Sequence, residues 1–197
     1  MNPTRTLKPA QVVTPPVEEP IDAAYVRAHM HLDDDADDAM LELLITAARE
    51  LVEEAIDGAL VTTTFDASFD QVTGAALELP RGRVVQSVTS VTTYSAAGTG
   101  TLAAGASYFT DTTGLFGRVI AVDGYSWPAT STLRSANGLV VRYVAGFGTA
   151  DDVPEALKRA VAETVRAIYD EDADAMNGTL PPLAAMLARP WIPLEVG

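Results

Sequence analysis

Cysteine is missing from this 197-residue sequence, so neither disulfides nor thiol chemistry can take part in it. The absence fits a reducing cytosol and many secreted bacterial proteins alike. Cations are scarce. Thirteen Lys and Arg, of which only Lys8 and Lys158 are lysines, face 27 Asp and Glu, for a formal charge of −14. Such a surface repels phosphate backbones and argues against a nucleic-acid reader. A protein that lets DNA pass without gripping it would gain from the same charge, as would any protein that must stay soluble. Long apolar runs are also missing. No stretch reaches the roughly 20 residues of a membrane span, and the first twenty lack the apolar core of a signal peptide. No membrane partner is expected.

Catalytic signatures are equally thin. Neither a Walker loop, nor H-E-x-x-H, nor G-x-G-x-x-G, nor a G-x-S-x-G elbow occurs. His29 and His31 are the only histidines, and no nucleophile and acid stand in a recognisable relation to them. "GFG" (Gly146 to Gly148) leads into "TADDVP", where acids would repel a phosphate. A glycosidase-like carboxylate pair could hide among 27 acids, but nothing selects one. The expectation is therefore no enzyme, no catalytic residue, no cofactor and no metal.

What is present is a change of hydrophobic period along the chain. Residues 1–19, with Pro3, Pro9, Pro15 and Pro16, read as an extended N-terminal arm. Residues 20–58 read as the first part of a helical core. Ile21, Tyr25, Ala28 and Leu32 recur at helical spacing behind the potential cap Asp22. A second helix carries the stripe Met40, Leu44, Ala47, Ala48, Leu51 and Ala55, widened by Leu41, Val52 and Ile56. Glu42, Arg49, Glu50, Glu53, Glu54 and Asp57 face the other way, and Gly58 stops the helix. Residues 59–150 change to strand signals. Val61, Thr63, Phe65, Ala67 and Phe69 alternate, then "ALELP", "RVVQSVTSVTTY", "YFTD", "RVIAVD" and "LVVRYVAGFG" follow, with "AAGTGTLAAG" as a turn-rich connector. Residues 151–174 return to helix, with Pro154 in the first turn and a stripe of Leu157, Val161, Val165 and Ile168. Residues 175–197 form an apolar, proline-interrupted tail. The economical arrangement is an α+β fold: a small helical bundle formed by N- and C-terminal helices, with an inserted antiparallel β subdomain.

Two stretches stand out chemically. "HLDDDADDAM" (His31 to Met40) opens like a calcium loop with Asp33, Asp35 and Asp37. Its sixth position is then Asp38 instead of Gly, and its twelfth is Leu44 instead of Glu. A helix start, with unpaired N–H groups and a positive dipole end, explains two or three of the aspartates as caps. The surplus reads as a solvated or polyanion-repelling face. In the tail, Leu183, Met186, Leu187 and Trp191 are apolar residues that either fold back on the core or dock on another protein.

The order of these features resembles the head–tail connector (adaptor) proteins of long-tailed phages and gene transfer agents. The resemblance covers residues 20 to 170. Arg27, His29, Leu32, the run Asp33 to Asp38, Ala47, Ala48 and Glu50 look like its N-terminal signature. "LPRGRVVQSVTSVTTY", Trp127-Pro128, "RYVAGFG" and "DVPEALKRAV" continue the order. Met30-His31 departs from the Leu-Arg frequent in that family and loses a positive charge. The resemblance implies a structural subunit of a homo-oligomeric ring, usually dodecameric, at the head–tail interface of the particle. The ring would sit beneath the portal protein, extend the DNA channel without specific DNA binding, and meet the next neck (stopper) or tail-completion protein. It also implies that Leu183, Met186, Leu187 and Trp191 dock on the portal and that the subunit waits in the host cytoplasm before assembly. Because residues 176–197 lie beyond the last amphipathic stripe, the tail is expected to be dispensable for folding but needed for assembly. The rival reading is an acidic, calcium-dependent carbohydrate- or cell-surface-binding β module.

Overall fold

Two units emerge in the computed structural model, which describes residues 3–6, 8–35, 37–114, 116–171 and 177–193, with the backbone alone at Thr130. One comprises Met1–Pro15 and Thr62–Gly146, the other Pro16–Val61 and Phe147–Gly197. The first is built of strands and the second of helices, and together they make an α+β fold.

In the β unit, alternation does what the pleat requires. Strand β2 (Thr63–Phe69) buries Thr63, Phe65, Ala67 and Phe69 and turns the residues between them outward. Strand β8 (Leu139–Ala145) does the same with Leu139, Val141, Tyr143 and Ala145. The two are neighbouring interior strands, with β8 central, of a five-stranded antiparallel sheet of order β1-β2-β8-β4-β5, where β1 is Gln11–Thr14, β4 Val85–Tyr94 and β5 Gly100–Leu102. A second sheet of order β3-β7-β6 is made by β3 (Ala76–Glu78), β7 (Arg118–Ala121) and β6 (Tyr108–Asp111).

The spacing of Val85, Val88 and Val91 is wrong for a regular strand, and two bulges repair it. The register runs Val85 to Ala145, Val88 to Tyr143 and Val91 to Val141, with irregularities between Val85 and Ser87 and between Val88 and Ser90. Each bulge adds one residue on β4 against β8. Three-residue steps on β4 therefore match two-residue steps on β8, and all three valines stand opposite inward residues. The glycine ahead of β7 serves the same region, because a Cβ on Gly117 would collide with the Val85 side chain. Tyr143 stacks on Phe65 at 5.7 Å and donates its hydroxyl to the Pro80 carbonyl.

Two strands lie where the sequence suggests none. β1 falls in the proline-rich arm, paired with β2, and β5 in the presumed connector, paired with β4. Both are short edge strands with weak alternation, which a periodicity argument cannot detect.

The helical unit consists, among the described residues, of α1 (Ala23–Met30), α2 (Asp38–Ile56), α3 (Glu155–Tyr169) and α4 (Pro182–Ala188). α3 is the central element. Ala160 to Val165 are buried without interruption, and both α2 and α4 pack on this helix. The expected stripe of Leu157, Val161 and Val165 is fully buried, with Ile168 at its margin. The phase of the first two helices differs from expectation. Val26 fills the core and Ala28 is exposed. On α2 the inward line is Leu41, Ile45, Ala48, Val52 and Ile56, whereas Met40 and Ala47 face solvent. Arg49 and Glu53, expected outside, are buried. Their charges misled the amphipathic reading, because each is neutralised by a partner. The helix also ends one residue early. Asp57, at φ 47°, takes the left-handed position, and Gly58 N–H reaches back to the Glu53 carbonyl at 3.1 Å. No helix among the described residues is long and apolar enough to cross a membrane.

Candidate functional site

The aspartate run joins helices. Asp22 caps α1 by accepting from the Tyr25 N–H at 2.7 Å, and His31 ends it in the left-handed region. Beyond the turn, Asp33, Asp34 and Asp35 are exposed. Asp38 accepts from Arg27 Nη1 through both carboxylate oxygens, at 2.9 and 2.8 Å, and so ties the start of α2 to α1. Asp37 occupies the cap position of α2 but makes no capping bond with its side chain. It accepts instead from the Tyr169 hydroxyl at 2.9 Å, a bond that raises the Tyr169 pKa above its ordinary value. The expectation that these aspartates act as caps is thus corrected at Asp37, whose side chain clips α2 to the end of α3. Among the described residues no three acidic or histidine side chains are placed to hold a metal ion together, so the geometry lends the calcium reading nothing.

The histidines separate. His31 is exposed at the end of α1, while His29 lies 3.2 Å from the buried carboxylate of Glu163 on α3. Glu163 Oε2 is 2.7 Å from Arg166, and Arg159 stands at 3.9 Å. The contact brings α1 against α3, and Glu163 is ion-paired within α3 to Arg166. The sequence reading missed Glu163, because a lone acid in an apolar helical stretch carries no motif.

A cleft of about 650 Å³ opens in the helical unit. Ile21 and Ile45 contribute its apolar lining, and Glu18, Glu19, Asp22, Glu42, Asp151 and Glu155 its acids, against the single cation Lys158. Several of these acids are held in place. Glu19 accepts from Arg49 Nε at 2.8 Å and from the Thr46 hydroxyl at 2.9 Å. Glu18 accepts from the Ala150 N–H at 2.9 Å. Glu155 accepts from the Tyr25 hydroxyl at 2.6 Å, and partial burial with this bond pushes Tyr25 up to about 12. The arrangement suits electrostatic contact with a donor-rich surface.

The tail divides into an inner and an outer side. Ala184 and Ala188 of α4 are fully buried, and Leu187 and Trp191 are half-buried against the same core as α3. Leu183 is also half-buried, and Met186 is 61% exposed. The four residues named from the sequence therefore do not form one free surface. Prolines end α4 on both sides without preventing seven residues from packing as a helix.

Comparison with known proteins gives the same direction from two sides. Residues 22–94 match the family described as phage gp6-like head-tail connector protein. A comparison with curated proteins finds no match. Among solved structures, a chain from the neck of an empty gene transfer agent particle, computed with C6 symmetry, superimposes with a TM-score of 0.78 at 23% identity. The match covers 96% of this chain and 98% of that one. A chain from the virion of a native gene transfer agent particle gives 0.76 at 23% identity, covering 95% and 97%. One from the native particle's neck computed with C12 symmetry gives 0.73, again at 23% identity, covering 96% and 98%. Residues 22–94 of this chain thus carry the phage gp6-like head–tail connector signature, within the fold of a chain from the gene transfer agent neck.

Proposed function

We infer that the protein is a structural head–tail adaptor: a ring-forming, non-enzymatic subunit in the neck of a phage or phage-like particle. The observation that carries this is the coincidence of the connector-family match over residues 22–94 with a neck-chain fold over nearly the whole length. The C6 and C12 symmetries of the similar necks support a cyclic homo-oligomer. The chemistry agrees. A −14 subunit repeated around an axis gives DNA a wall that does not hold it. The ring joins the portal protein on one side to the next neck or tail-completion protein on the other, and the subunit waits in the host cytoplasm until assembly. In this reading α4 docks on the portal through its outer side, Met186 and Leu183, while Leu187 and Trp191 hold the helix to its own core. Mixing the purified chain with its particle's portal and viewing the product by negative stain tests this. A collar of density on the portal supports the adaptor role, and portals left bare at saturating chain would refute it.

A further inference from the structure

Building on the ring reading, we propose that neighbouring subunits join by edge-to-edge strand pairing, β1 of one copy against β5 of the next. A ring of identical subunits needs two different, complementary surfaces on each, because a patch that pairs with itself stops at a dimer. The five-stranded sheet supplies two such surfaces, one at each edge. All four residues of β1 and all three of β5 are exposed, including Val12 (57%) and Leu102 (68%). Successive pairings in the sheet are antiparallel, so in a five-stranded order β1 and β5 run the same way. Copies set side by side would continue the sheet through a parallel pair, with its twist giving each copy a rotation from the last.

Charge argues for a second copy as the occupant. In a −14 chain, like-charge repulsion opposes self-association wherever acids face each other. The two edges avoid this. Pro9 to Val17 carries no charged residue, nor does the whole stretch from Val84 to Thr110 that includes β5. Soluble proteins ordinarily guard open edges with lysines or inward charges, and neither strand contains one. Pro9 and Pro15 flank β1 and limit the length of any pairing, which favours a defined register over open-ended aggregation.

The absence of native cysteine makes the test direct. Full-length chain carrying Val12→Cys with Leu102→Cys is concentrated and treated with a flexible bis-maleimide, while mass photometry follows multimer size in parallel. A covalent ladder beyond the dimer is expected from the double variant. Either single variant should stop at dimers, and a control pair on other exposed positions of the same unit, Gln71→Cys with Asp123→Cys, should give no ladder. Adding Val12→Lys to an otherwise native chain should weaken self-association about tenfold or more by placing a charge on the edge. Multimers that form without the ladder would overturn the strand pairing and leave the ring reading intact. The same cross-linking is repeated with the portal present, and absence of the ladder there as well as in the isolated chain would overturn the pairing.

Discussion

Arg49 and Glu53 lie one turn apart on the buried side of α2, with Nη1 2.8 Å from Oε2. The guanidinium reaches Glu19 with its Nε, and the other oxygen of Glu53 accepts from the Leu60 N–H at 2.8 Å. One ion-pair group thus fastens the chain before α1, the body of α2 and the chain after α2. Burial alone would lower the Arg49 pKa, but the carboxylates of Glu53 and Glu19 outweigh it and raise it above its usual value. Removing one partner leaves a charge inside the protein. Glu53→Ala or Arg49→Ala should each destabilise the chain by about 3–5 kcal/mol. The apolar pair Arg49→Met with Glu53→Leu should recover only part of that loss, because the buried Leu60 N–H loses its acceptor. Urea titration of the variants decides it.

The tail residues should separate by position. Trp191→Ala removes a half-buried ring from the core and should cost about 1–2 kcal/mol, a discounted share of full aromatic burial. Met186→Ala, on the outer side, should stay within about 0.5 kcal/mol. In portal binding the order should reverse for Met186→Asp, which keeps its fold and loses attachment. Denaturation curves and co-sedimentation with the portal measure the two effects separately.

Tyrosine ionisation offers a local probe of the cleft. Tyr25 is pushed up from 10.0 to about 12, first by burial and then by its bond to Glu155. Between these values the unfolded chain releases a proton that the folded chain keeps. Its stabilising contribution is therefore complete below pH 10 and is lost as pH rises toward about 12. Absorbance titration of the six tyrosines should show late ionisation beyond pH 10, and Tyr25→Phe should remove one tyrosine's share of it and leave that of Tyr169.

At the acid end the sign is opposite. Asp111 is held down to about 2, chiefly by the Thr113 hydroxyl and N–H and then by Arg118. Its contribution is present above the ordinary value of 3.8 and lost as pH falls through about 2. Asp111→Asn should flatten this part of the acid unfolding curve, and circular dichroism against pH would reveal an unchanged curve if the bonds to Thr113 and Arg118 did not matter.

How far the sequence could be read follows from the residues. Long periodic elements were legible. The inward face of β2 and the stripe of α3 sit where Phe65, Ala67, Leu157 and Val161 place them. So was the helix–strand–helix order. The phase of α2 was not, because counting Arg49 and Glu53 as solvent residues rotates the inferred face, and a charge hidden by its partner looks like any other in one dimension. Edge strands β1 and β5 are too short and too exposed to leave an alternating pattern. The bulges on β4 were visible only as an odd valine spacing. For the candidate site, the cap at Asp22 was readable from local chemistry, whereas Asp37 with Tyr169 and Glu18 with Ala150 each join residues 132 positions apart. No local rule reaches that far.

A ring of this chain in a particle neck would be seen by cryo-electron microscopy of assembled particles bearing an affinity label on it. Label is expected in a closed, cyclic collar between portal and tail, at several copies per particle. Label confined to the capsid shell or the tail tube, or a single copy per particle, would contradict it.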